Sequence, residues 1–219
     1  MHTPDIASAS PLEVSNRPRL LVGNVPGNGV ALVLHFFGPT TMVAITPDVG
    51  GAHGFWLDDA TLPQASEWAA EQNRAGNNLY FTGNQPRTGM NKKPAKSDIV
   101  TLRAIGADVD AKDGRTMDEA LAAIHALPLR PSLVIMSGGG WQPFWFLAAP
   151  IEATTEAVRR AEAIGKRVAE LTGGDAVQDV SRIFRLPFTV NWPNAKKWAA
   201  RRVPTPSLLK VPSFRLGDR

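Results

Sequence analysis

Asp108 and Asp110 close an apolar run, TLRAIGADVD, and are the first residues in this 219-residue chain whose types and spacing could do chemistry. In an extended strand alternate side chains share a face, so positions 108 and 110 stand side by side while Val109 points into a core. Like charges at that distance repel, and one must take up a proton unless a cation intervenes. A hard divalent ion gives both carboxylates a partner. A solvated strand end running into a turn at Asp113 and Gly114 accounts for the same pair without an ion. A second stretch, Ser137-Gly138-Gly139-Gly140 with Gln142 close behind, offers anion chemistry. Glycine lets backbone approach a phosphate, and Ser137 and Gln142 add a hydroxyl and an amide. The glycines also suit a plain hairpin turn.

These residues need elements to hold them. The run 101–114 is the organising strand, and a helix follows at 116–126, with acids in its first turn. Residues 132–137 and 141–147 are two β-rich apolar runs about the glycines, the clearest hairpin signal, with Pro143 marking a bulge or an unpaired position. A helix at 152–171 stops at Gly173-Gly174. A last strand at 180–191 is interrupted at Pro187 and carries Arg182 and Arg185, which face opposite sides. Upstream, 30–37 (VALVLHFF) and 41–46 read as buried strands joined through Gly38-Pro39, and 47–53 as a glycine-rich loop without the phosphate-loop pattern. A helix spans 60–74, with Thr61 as its candidate cap, and a strand spans 78–83. Residues 84–97 read as a basic excursion. Trp141, Phe144, Trp145 and Phe146 cannot all face one side of a strand, which leaves burial or base stacking for each.

The order strand, strand, helix, hairpin, helix, strand from residue 78 predicts an α+β fold. It would be an RRM-like split βαβ sheet, mixed or antiparallel, with helices on one face and a smaller N-terminal α/β lobe forming a cleft against it. The expected divisions are a mobile lead-in (1–17), the N-terminal lobe (18–77), a core (78–195) and a basic, proline-containing tail (196–219).

Composition sets bounds. A hydrophobic share of 43% and a charged share of 20% fit an ordinary globular protein. No apolar run reaches the roughly 18 residues of a membrane span, and no basic-then-apolar leader opens the chain, so a cytoplasmic location is expected. The absence of cysteine excludes disulfides and cysteine-ligated metals, and four scattered histidines argue against a histidine-rich metal site. Lys and Arg outnumber Asp and Glu by 24 to 20, which permits a polyanionic partner without demanding one. The excess sits in two clusters, Arg87, Lys92, Lys93 and Lys96, and the stretch from Lys196 to Arg219.

Taken together, the motifs resemble the archaeo-eukaryotic-type primase and primase-polymerase superfamily, in its plasmid and phage, RepB-like form. Asp108 and Asp110 match its first motif. Residues 137–145 match a hairpin of the form SGxGxHxYW, with Gln142 where histidine is usual. Residues 179–191 match DxSRxxRLPGTxN, with Phe188 where glycine is usual. The resemblance covers about 78–197. It implies a nucleotidyltransferase that starts or extends a primer on single-stranded DNA. Asp108, Asp110 and Asp179 would hold two Mg²⁺ or Mn²⁺ ions and act as the catalytic acids. Ser137, Gly139, Gly140, Gln142 and Arg185 would bind the nucleoside triphosphate, with Arg182 and Arg87 as further phosphate candidates. Asp179 also suits a turn, Arg182 an ion pair, and Arg87 plain exposure. Both basic clusters would hold phosphate backbone, and the resemblance leaves room for a helicase in the same or a separate chain. A non-catalytic nucleic-acid-binding domain on the same scaffold is the alternative. A rolling-circle initiator or relaxase fits less well, because no His-x-His occurs and the single tyrosine, Tyr80, lies in an apolar strand.

Overall fold

A computed structural model describes residues 28–175 and 179–210. The expected lead-in, and residues 211–219 of the tail, lie outside them. Two antiparallel sheets and a layer of helices make the described fold. The first sheet has strand order β2-β1-β3-β9, from Gly50–Leu57, Thr40–Thr46, Asn78–Thr82 and Ile183–Arg185. The second runs β12-β7-β8-β5-β4, from Leu208–Lys210, Leu133–Met136, Gly140–Glu152, Ile99–Gly106 and Gln85–Pro86. A two-residue strand β6 (Val109–Asp110) also pairs with β8. A small ribbon joins β10 (Val190–Asn191) to β11 (Thr205–Pro206).

The α+β expectation holds, with every described strand pair antiparallel. β5, β8 and β7 lie side by side, whereas β9 belongs to the first sheet, where it pairs with β3. β3 also pairs with β1, so the first sheet takes strands from both sides of the expected division at 77/78.

The run 30–37 is a helix, α1 (Gly29–Phe37), and not a strand. A short run that is apolar all round carries no period, so its ends decide. Asn28 accepts a hydrogen bond from the Val30 N–H as a cap, and Gly38, at φ 69°, closes the other end on the Leu34 carbonyl. Between the sheets α1 is buried on most sides: Phe37 meets Phe81 of β3 and Phe144 and Phe146 of β8. The expected loop at 47–53 is also corrected, since most of it belongs to β2, the hairpin partner of β1. Helix α2 (Leu62–Arg74) begins where expected, but Thr61 gives it no side-chain cap; its hydroxyl accepts from the Asp58 N–H instead.

On the other face of the second sheet lie α3 (Met117–His125) and α4 (Thr155–Thr172). Thr116 and Glu119 form a reciprocal cap on α3, and Gly173 ends α4 in the left-handed region. β8 is covered on both faces, which settles its aromatics: Phe144 and Phe146 face α1, Trp141 packs with α3, and all four are buried. After Trp192 the sequence, basic and proline-rich, shows no core-forming period. It forms a short helix α5 (Ala195–Ala199), then β11 and β12, which adds an edge strand to β7.

Candidate active site

Pro143 sets the local geometry. β5 and β6 share one register on β8, which places Pro143 opposite Ala107 and Gln142 opposite Asp108. The Ala107 N–H reaches the Pro143 carbonyl at 3.1 Å, but proline has no N–H to return. The ladder opens there, and Asp108 stands at the gap between β5 and β6. This is the unpaired position read from the sequence.

Asp108 and Asp110 flank buried Val109 and are themselves half-buried, on one face as expected. Asp108 Oδ2 accepts from Arg182 Nη2 at 2.8 Å and from Gln142 Nε2 at 3.4 Å, whereas Asp108 Oδ1 is buried without a partner. Burial raises the Asp110 carboxyl above its ordinary range, and the charges of Asp108 and Asp175 push the same way; Lys112 and Arg202 hold it down.

Arg182 is thus an ion pair with Asp108, one of its two expected readings. Asp179 is in a tight turn, its Oδ1 taking both the Ser181 N–H and hydroxyl at 2.7 Å. Among the described residues no three Asp, Glu, His or Cys side chains gather closely enough to hold a metal ion. The three-acid set is therefore not formed by these side chains. Arg87 pairs with Asp98 at the corner beyond β4.

The hairpin glycines have separate tasks. Gly138, at φ 87°, makes the turn. A Cβ on Gly140 would stand 2.6 Å from Asp110 Oδ1 and the Val109 carbonyl, so this glycine lets β6 close onto the hairpin. One on Gly139 would strike the Arg202 guanidinium at 2.3 Å. Ser137 turns its hydroxyl to the Gly140 carbonyl.

Behind the hairpin sits Arg185, only 5% exposed. It donates to Asn78 Oδ1 (2.8 Å), the Tyr80 hydroxyl (3.0 Å) and Asn191 Oδ1 (2.9 Å), and its guanidinium lies 4.3 Å from the Tyr80 ring centroid. No carboxylate among the described residues pairs with it, its Nε has no partner, and burial lowers its pKa. Gln142, 4% exposed, ties the parts together. Its carbonyl accepts from the Arg185 N–H at 2.8 Å while its amide faces Asp108. Asn78, Tyr80 and Asn191 were not among the expected site residues. Asn78 and Tyr80 stand two apart on β3, hence on one face, but that Tyr80 faces Arg185 is a matter of long-range register.

The crystal structure of primase RepB' matches this architecture with a TM-score of 0.57 and 19% identity, over 83% of this chain and 55% of that one. The chain has the fold of primase RepB'. The catalytic domain of primase RepB' in complex with initiator DNA matches at a TM-score of 0.52 and 17% identity, over 83% of this chain and 82% of that one. This chain spans about half the length of the first RepB' structure. No family model matches it, and no curated protein matches it in sequence. On the RepB' fold the paired acids, the glycine hairpin and Arg185 meet where β6, β8 and β9 adjoin. No described helix is long and apolar enough to cross a membrane.

Proposed function

We propose that this chain is a primase-type nucleotidyltransferase domain that uses single-stranded DNA as template and nucleoside triphosphates as substrates. One observation carries the reading. A buried, partnerless carboxylate oxygen on Asp108 beside Asp110, whose carboxyl burial raises above its ordinary range, faces the same small region as a buried arginine without an acid to neutralise it. The first pair invites a cation and the second an anion, which is what a metal–triphosphate complex brings.

A divalent ion fits the donor set: Asp108 and Asp110 would hold Mg²⁺ or Mn²⁺. Bound there, the ion supplies charge stabilisation for oxygens that gain negative charge as a nucleotide is transferred. Arg185 binds phosphate oxygens through its unused Nε, held in orientation by Asn78, Tyr80 and Asn191. Gln142 fixes the spacing between Arg185 and Asp108, and Gly140 keeps β6 against the hairpin. Arg182 screens the repulsion between the two acids while the cation is absent.

A second reading has one observation in its favour. Arg182 already neutralises one Asp108 oxygen, and Asp179 is engaged by Ser181, so the scaffold also suits a domain that binds nucleic acid without chemistry. Incubation with single-stranded template, labelled ribo- and deoxyribonucleotides and Mn²⁺, followed by sizing of the products, separates the two. Extended products that vanish with a chelator support the transferase; binding of template with no product supports the second reading.

A further inference from the structure

Between Asp179 and Asp218 the sequence has no acidic residue at all. Into that stretch fall α5 and the turn after it, AKKWAARR, with Lys196, Lys197, Arg201 and Arg202 around Trp198. None of these four cations forms an ion pair among the described residues. Trp198 is 50% exposed, the only tryptophan of the six on the surface to that degree; Trp141 and Trp145 are buried and the other three half-buried. A half-exposed indole beside unpaired cations suits an occupant that is flat, apolar in face and anionic.

The segment is fastened in place. Asn194 caps α5, the Ala195 N–H reaches Asp48 Oδ2 at 2.7 Å, and the Trp192 indole N–H reaches the Asn73 carbonyl at 2.9 Å. At its far end Arg202 donates from its backbone N–H to the Lys197 carbonyl at 2.9 Å, and its guanidinium lies over Gly139. α5 is therefore a wall of the site that carries Asp110. The crowding of like charge also shows in Lys197, whose pKa burial, Arg202 and Arg185 all lower, against the pull of Asp110.

From this placement we propose that α5 is a platform for single-stranded nucleic acid, on which Trp198 stacks an unpaired base while Lys196, Lys197 and Arg201 hold the flanking phosphates. The proposal rests on the reading of the chain as template-using and names the surface that takes the template. An exposed indole in a run of unpaired cations accepts any base through its π-face and needs no sequence code. A duplex hides its base faces and can use only the cations.

The full chain, without metal or nucleotide, is titrated with an oligodeoxythymidylate and with a duplex of equal length, reading tryptophan fluorescence and anisotropy of a labelled strand. The single strand should quench the fluorescence. Trp198→Ala should lose most of the quench and bind about tenfold more weakly, and Trp198→Phe should bind within about threefold of the parent. Equal quenching by duplex, or full affinity and quench in Trp198→Ala, overturns the platform. Because no nucleotide is present, a failure to synthesise product leaves this result readable, and active protein with an idle Trp198 would sink the platform alone.

Discussion

Arg87 and Lys96 form ion pairs with Asp98 and Glu162, whereas Lys197 and Arg201 form none among the described residues. In sequence the two basic clusters look equivalent, and both were expected to hold phosphate. In the fold Arg87 and Lys96 of the first are spent on structure, while Lys92 and Lys93 stay exposed: Asp98 also accepts the Ala95 N–H, and Glu162 the Val180 N–H, so the two ion pairs pin the corner beyond β4 and the approach to β9. The second is backed by glycine and left open beside Asp110. Charge counted along a chain does not report free charge, because the neutralising partner of Lys96 lies on α4, far away in sequence.

The largest test of that contrast is a pair of double variants. Lys197→Ala with Arg201→Ala should weaken single-stranded DNA binding by about tenfold or more at moderate salt, and reduce the slope of log K against log salt by about 1.4. Arg87→Ala with Lys96→Ala should change affinity less than about threefold, measured by the same anisotropy titration. Equal losses from both pairs would erase the distinction.

A smaller effect comes from Asp110. Its folded pKa is raised, so its contribution to stability is fully present below the ordinary carboxylate range and is lost as pH rises through the folded value. Asp110→Asn should therefore melt slightly above the parent near neutral pH, with the gap closing as pH falls through the ordinary carboxylate range. Because Arg202 holds that carboxyl down, Arg202→Ala should move the parent's loss of stability to higher pH. Thermal melts across pH check both, and a gap that widens on acidification would show the wrong sign.

The contrast also bears on what could be read from residues alone. Elements with a period or a punctuated turn were legible: α3 with acids in its first turn, α4 ended by Gly173, the 133–147 hairpin, and the alternation of Asp108, Val109 and Asp110. α1 was not, because a run of eight residues whose single polar member is His35 fits a buried strand and a buried helix alike until Asn28 and Gly38 are weighed as caps. The site was legible as motifs and not as bonds. That Arg182 faces Asp108 and that Gln142 spans Asp108 and Arg185 depend on how β9, paired with β3, lies against β8, and that Asp179 folds back on Ser181 is settled by the turn before β9. Phe188 shows the same limit. At φ 61° and 44% exposed, it takes the turn conformation of the glycine it replaces in the motif and fills no core gap, which costs about 1–2 kcal/mol of backbone strain.

The account turns on Asp108 and Asp110 as the cation-binding pair, and calorimetric titration of Mn²⁺ into the folded chain with a nucleoside triphosphate present tests it most directly. Binding should be seen in the parent and in Asp179→Asn, and should be lost in Asp108→Asn and in Asp110→Asn. Undiminished Mn²⁺ binding in Asp108→Asn, or its loss in Asp179→Asn alone, would contradict it.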